Sequence, residues 1–229
     1  MRKVLAVCAI ALTVTFAQPA QTKDAEEQTW TSNFQLTQDE LTSTGRNPYF
    51  ILEPGYTLVL EAGRERLTIT VLNETRKIDN IDVRIVEERE TKDGRLVEIS
   101  RNFFAISKHT NNVYYFGEEV DIYKAGKIVS HEGAWVAGLN GARFGLMMPG
   151  SPTLHQRFYQ EFAPGVAMDR AEIVSLSETL KTPAGNFKQV LKVVETTPLE
   201  PGVVEAKYYA PGIGLLQDGT LKLVRYGKT

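Results

Sequence analysis

From Asn47 onward the chain is patterned in short runs in which every second residue is apolar. Tyr56-Thr57-Leu58-Val59-Leu60 and Leu67-Thr68-Ile69-Thr70-Val71 carry this alternation most clearly. Val83 and Ile85 alternate with Asp82 and Arg84, and Val204, Ala206 and Tyr208 alternate with Glu205 and Lys207. A period of two is the mark of a strand with one buried face. The punctuation agrees, because five of the ten prolines are followed directly by glycine: Pro54, Pro149, Pro164, Pro201 and Pro211. Pro-Gly suits a type II turn, in which proline presets φ and glycine supplies the positive φ. Asp93-Gly94, Asp218-Gly219 and, more weakly, Ala125-Gly126 read as hairpin turns. The pattern predicts strands near 56–61, 65–75, 81–90, 95–106, 113–123, 127–132, 157–162, 171–182, 187–195, 203–209 and 221–226. The expected fold is all-β, an antiparallel meander forming a barrel, a half-barrel or a sandwich, among which periodicity does not choose. Leu52-Glu53-Pro54-Gly55 recurs as Leu199-Glu200-Pro201-Gly202, which reads as repeated turn chemistry and not as a duplicated domain.

The first residues follow a different plan. Arg2 and Lys3 precede an uncharged apolar run from Val4 to Phe16, the layout of a signal peptide, and the run is too short to span a bilayer as a helix. Residues 1–17 are therefore expected to be a signal peptide cut after Ala17, and the mature chain to be secreted or periplasmic with no transmembrane segment. Cys8, the single cysteine, would leave with it, so stability must come from a hydrophobic core without disulfides. Residues 18–45 are polar and poorly periodic and read as an arm that Trp30, Phe34, Leu36 and Leu41 could dock. Residues 46–229 are expected to form one β-rich domain. Loss of Arg2 and Lys3 moves the formal charge from -2 to -4, a balance with no basic surplus to suggest nucleic acid or an anionic membrane.

Catalytic signatures are missing: there is no His-Glu-x-x-His, no Gly-x-Ser-x-Gly, no phosphate-binding glycine loop and no EF-hand calcium loop. The densest unusual stretch runs from Asn111 to Pro152. It places Tyr114, Tyr115 and Phe116 beside Glu118 on one strand, with Trp135 following the next hairpin. Antiparallel pairing brings Trp135 toward Tyr115 and Phe116. A long glycine-rich loop is expected near 133–152, either covering a barrel mouth or plugging the core. Glu118, Glu132, Glu161 and Asp169 are the carboxylates that could converge as acid and base or as oxygen ligands. His109, His131 and His155 lack paired ligand spacing, and Met147, Met148 and Met168 are more often core filling than copper ligands. No metal and no cofactor is expected.

Several segments together resemble a group of uncharacterised bacterial secreted proteins. They are Asn47-Pro48-Tyr49-Phe50, Val113 to Glu118, Gly133-Ala134-Trp135, Thr182-Pro183-Ala184-Gly185-Asn186-Phe187 and Glu205 to Gly214. The resemblance spans roughly Asn47 to Leu216 and implies export and a β-rich domain. Tyr114 stands where that group often carries tryptophan. The final part, with Tyr209-Ala210-Pro211-Gly212-Ile213-Gly214, is also similar to the tails of lipoprotein-carrier-like half-barrels.

The leading functional expectation is an exported, non-catalytic binding or carrier module for an apolar or amphiphilic small molecule, with Tyr114, Tyr115, Phe116, Glu118, Trp135 and Glu161 as its binding residues. One alternative is an extracellular glycan hydrolase using Glu118 and Glu161, a pairing that requires both carboxylates on one face of the sheet. Another is a structural envelope component, which would show a broad exposed apolar patch.

Overall fold

The computed structural model describes residues 30–228. The expected signal segment and its cleavage point lie outside them. Three short strands come first: β1 (Leu41–Thr42), β2 (Gly45–Asn47) and β3 (Phe50–Leu52). A run of long ones follows, β4 (Tyr56–Ala62), β5 (Glu65–Ile78), β6 (Ile81–Lys92), β7 (Arg95–Ser107) and β8 (Val113–Lys124). Then come β9 (Lys127–Ser130), β10 (Trp135–Val136), β11 (Arg143–Met148), β12 (Arg157–Tyr159) and β13 (Glu161–Phe162). The chain ends with β14 (Arg170–Thr182), β15 (Gly185–Thr196), β16 (Glu205–Ala210), β17 (Gly214–Asp218) and β18 (Leu221–Lys228).

Two meanders make one antiparallel sheet. One runs β4-β5-β6-β7-β8 and continues to β11 and β13, the other runs back from β18 through β17, β16, β15 and β14 to β12, and pairing of β18 with β4 joins them. The outer strands of this sheet, β12 and β13, are separated in sequence by Gln160 alone, so the chain steps across the seam and the sheet is nearly closed into a barrel. The backbone N–H groups of Gln160 and Glu161 both donate to the Asp169 carbonyl, at 2.8 and 3.1 Å, which holds the seam against the start of β14. Near closure removes most of the unpaired strand edge that an open sheet would present.

Turn chemistry explains the local order. Asp79-Asn80, Asp93-Gly94 and Ala125-Gly126 all have positive φ at both positions, as two-residue hairpin turns require. Four of the five Pro-Gly glycines have the expected positive φ; Gly150 does not. It is needed instead for close approach, since a Cβ there would overlap the Thr110 carbonyl. The region 133–152, read from sequence as one long loop, contains β10 and β11. They form because the edge of β8 offers unpaired backbone groups, to which Gly145, Leu146 and Met148 add on.

The arm docks as its aromatics suggest. Trp30 meets Tyr159 at 6.4 Å between ring centroids with the Arg170 guanidinium 4.6 Å from its ring, Phe34 meets Tyr114 at 5.9 Å, and Leu41 is buried. Thr31 bridges to Phe158 on β12, covering the strand at the seam. Hairpin β2-β3 then closes one end of the barrel. Asn47 holds it, its Nδ2 donating to the carbonyls of Asn111 (2.8 Å) and Pro149 (3.0 Å) while its Oδ1 accepts from the Tyr49 N–H (2.7 Å). Phe50 packs edge-on against Phe104 at 5.0 Å. Among the described residues no helix is long and apolar enough to cross a membrane.

Candidate functional site: an amphipathic lumen

Inside the barrel three chambers share walls. The innermost, with about 80 Å³ free, lies against hairpin β2-β3 and is lined by Tyr49, Phe50 and Ile51 together with Tyr56, Leu58, Ile69, Val71 and Tyr209. Glu88, Met147 and Lys207 separate it from a middle chamber of about 210 Å³ lined by Glu98, Ser100, Asn102, Tyr115 and Gln160. Glu118, Glu161, Asp169 and Glu195 in turn divide the middle chamber from an outer one of about 330 Å³. The outer chamber meets solvent beside Gly133, Val166 and the connection containing Leu199 and Val203, and the side chains of Val166, Leu199 and Val203 are exposed apolar groups. The lumen is apolar at its plugged end and acidic at its open end.

Strand periodicity builds this gradient. On β7 the residues at 98, 100, 102 and 104 share the lumenal face and run Glu, Ser, Asn, Phe toward the plug. On β6 the step is from Glu88 to Val86, and on β16 from Lys207 to Tyr209. Alternation alone would not send both Tyr115 and Glu118 inward, because they are three apart. A bulge solves this: Phe104 pairs with Tyr115 and Asn102 with Glu118, so β8 carries one residue more than β7 between them. Gly117 permits it with a φ of 128°, and a Cβ there would overlap the Trp135 carbonyl.

The electrostatics follow from enclosure. Burial first, then the charge of Glu88, pushes Glu118 up to about 7, although a hydrogen bond with Tyr115 pulls the other way. Burial, followed by the charges of Glu118 and Asp169, holds Glu161 well above the usual carboxylate range. Glu88 is raised to about 7, again chiefly by burial. Taking a carboxylate out of water favours its neutral form, and neighbouring carboxylates add to the effect. Burial would push Lys207 down, but the charges of Glu195 and Asp218 outweigh it and keep the ammonium charged. Its Nζ lies 2.7 Å from Glu195 Oε2 and 3.7 Å from Asp218 Oδ2. The other oxygen of Glu195, Oε1, is buried and has no hydrogen-bond partner among the described residues.

Of the residues read from sequence, Tyr115, Glu118 and Glu161 line the lumen together. Trp135 meets Tyr115 at 5.4 Å, edge to face, and pairs with Glu118 across β10 and β8, but it is packed in the core. Tyr114 and Phe116 point to the opposite side of β8, where Phe144 stacks on Phe116 at 5.0 Å and Phe34 covers Tyr114. Asp169 joins the collar, whereas Glu132 lies among exposed residues. Among the described residues no three histidines, aspartates or glutamates gather in a way that could hold a metal ion.

Glu88, Glu98, Asn102, Glu195, Lys207 and Asp218 were not legible as lumenal. Alternation suggests that Val204, Ala206 and Tyr208 are the buried face of their strand; instead Lys207 and Tyr209 face the lumen, and Val204 is exposed. The usable signal is doubled aromatics. Phe103-Phe104 and Tyr208-Tyr209 place a large apolar group on both faces, so polar residues in phase with the second of each pair lie on an enclosed face as well. Comparison with protein-family models, with curated proteins and with solved structures finds no match to this chain.

Proposed function

We propose that this protein is an exported, non-catalytic binding or carrier module whose lumen takes up an amphiphilic small molecule. The observation that carries the reading is the gradient inside one barrel: an apolar, aromatic-lined chamber at the plugged end and a carboxylate collar beside the opening. A molecule entering from the open end would bury its apolar part at the plug and leave its polar part in the collar. A concave apolar wall with a few converging polar groups is the common form of a small-molecule site. Native mass spectrometry of protein isolated from a bacterial periplasm, with solvent extraction of the same sample, tests this. A retained organic molecule is expected, and Ile69→Trp, which fills the inner chamber, should abolish it. An empty protein, with no molecule in the extract, overturns the proposal.

Glu118 and Glu161 line one chamber, so the glycan hydrolase alternative keeps its two carboxylates on one face of the sheet. Their electrostatics favour it less. A retaining enzyme needs one carboxyl protonated and the other ionised as nucleophile, while here burial pushes both toward the neutral form.

A further inference from the structure

We infer that the polar end of the lumenal occupant is a nitrogen cation, such as a protonated amine, seated against Glu195, Glu161 and Glu118. This rests on the reading of the lumen as a binding site and adds the chemistry of what it selects.

Glu195 carries the argument. It is 7% exposed and lines both the middle and the outer chamber, with Oε2 held by Lys207 at 2.7 Å and Oε1 buried without a partner among the described residues. A carboxylate oxygen accepts hydrogen bonds and donates none, so only a donor arriving in the chamber can satisfy Oε1. Leaving such a buried acceptor bare is costly, which gives an incoming donor a free-energy advantage that water-exposed carboxylates do not offer.

The rest of the collar says what kind of donor. Glu118, Glu161 and Asp169 surround the same space, and among the described residues Lys207 is the one basic residue lining the three chambers. Because Glu195 and Asp218 already engage Lys207, an anionic head would meet several carboxyls and no uncommitted cation. A sugar or polyol brings donors, but each hydroxyl also brings lone pairs that ask for donors, and the side-chain donors of Asn102, Tyr115 and Gln160 are already engaged within the wall, leaving chiefly the protons of the collar carboxyls to serve them. An ammonium group brings donors only, and its positive charge favours the ionised form of carboxyls that burial alone pushes toward the neutral one, so its hydrogen bonds to them are of the stronger, charge-assisted kind. A bare metal ion fits poorly, since no three of these groups converge closely enough to coordinate one among the described residues. Chambers of about 210 and 330 Å³ suit an organic head of several atoms.

Octylamine, 1-octanol and octanoate share a tail and differ in the head, so titrating each into the folded protein at pH 7.5, followed by NMR shifts and calorimetry, separates the terms. Octylamine should bind about tenfold or more tightly than 1-octanol, the margin of one charge-assisted hydrogen bond, and octanoate should bind weakest. Glu195→Gln and Glu161→Gln, the second of which breaks no ion pair among the described residues, should each remove most of the margin of octylamine over 1-octanol. Equal or tighter binding of 1-octanol would overturn the cationic head and leave the lumenal site standing. A preference for octylamine that survives both substitutions would place the cation elsewhere and overturn the assignment to the collar. Failure of all three to bind would overturn the lumenal reading and this inference with it.

Discussion

Glu118 shows how one side chain acquires unusual chemistry from its surroundings. Its register behind the Gly117 bulge turns it into the lumen, and enclosure raises it to about 7. Glu118→Gln should therefore stabilise the protein at pH 8, where the native carboxyl is forced to ionise, and change little at pH 5, where it is already protonated. Thermal melts of both proteins at the two pH values check this; an equal effect at both would deny the carboxyl its raised pKa. Trp135 makes a different case. It is 6% exposed against Tyr115, with an indole Nε1 that has no hydrogen-bond partner among the described residues. Trp135→Ala should cost about 3–5 kcal/mol, as for other buried large aromatics. Trp135→Phe should cost less than the alanine variant, because it keeps one aromatic ring, leaves a smaller cavity and removes an unsatisfied N–H. Chemical denaturation of the two variants measures both. A small loss in the alanine variant would mean that Trp135 is not a core residue. Both residues stood out in the sequence as an acid and an aromatic in a dense segment, yet alternation cannot say which of Tyr114, Tyr115 and Phe116 turns inward. The bulge decides that, and it depends on where β10 lies.

At the scale of elements, hairpin β2-β3 matters most, since Tyr49, Phe50 and Ile51 from it wall the apolar chamber. Asn47, 1% exposed, ties that hairpin to two distant backbone segments at once. Asn47→Ala removes the donor from the buried Pro149 carbonyl and from the half-buried bond to Asn111, and should cost about 1–3 kcal/mol. Hydrogen exchange should speed up at Phe50 and Ile51 more than in β5 or β6 if the hairpin is a separable plug. Uniform acceleration throughout the sheet would mean that it unfolds only with the barrel. The long strands were legible because each has a face of Leu, Ile and Val between turns of known chemistry; the predicted spans of β4 to β8 lie within a few residues of those formed. β11 and β17 were not. Their glycines, Gly145 and Gly214, weaken local strand preference, and both strands exist because neighbours offer them a ladder.

The whole molecule encloses several carboxyls whose native state favours the proton. Glu88 and Glu118 are raised to about 7, and burial also raises Glu161, Asp169 and Asp218. Between the ordinary carboxylate range and about 7 the folded protein then binds more protons than the unfolded chain, so stability falls as pH rises through that window. Glu53 works oppositely: hydrogen bonds from Arg46 and Lys228 lower it to about 2, and what it contributes is lost as pH falls from about 4.5 toward that value. The melting temperature should be higher near pH 5 than at pH 8. A flat or rising profile across that interval would show the lumenal carboxyls to be solvated like surface ones. By itself the sequence determined an all-β meander, because alternation and turn chemistry are local and each strand records which positions can be hidden together. It also marked Tyr115, Glu118 and Glu161. Only tertiary structure decided that the meander nearly closes at Gln160, and that one polar face of β7 and β16 turns inward. A carboxylate facing water and one facing an enclosed lumen occupy the same place in an alternating pattern; the difference is the curvature of the sheet, to which residues more than a hundred positions apart contribute.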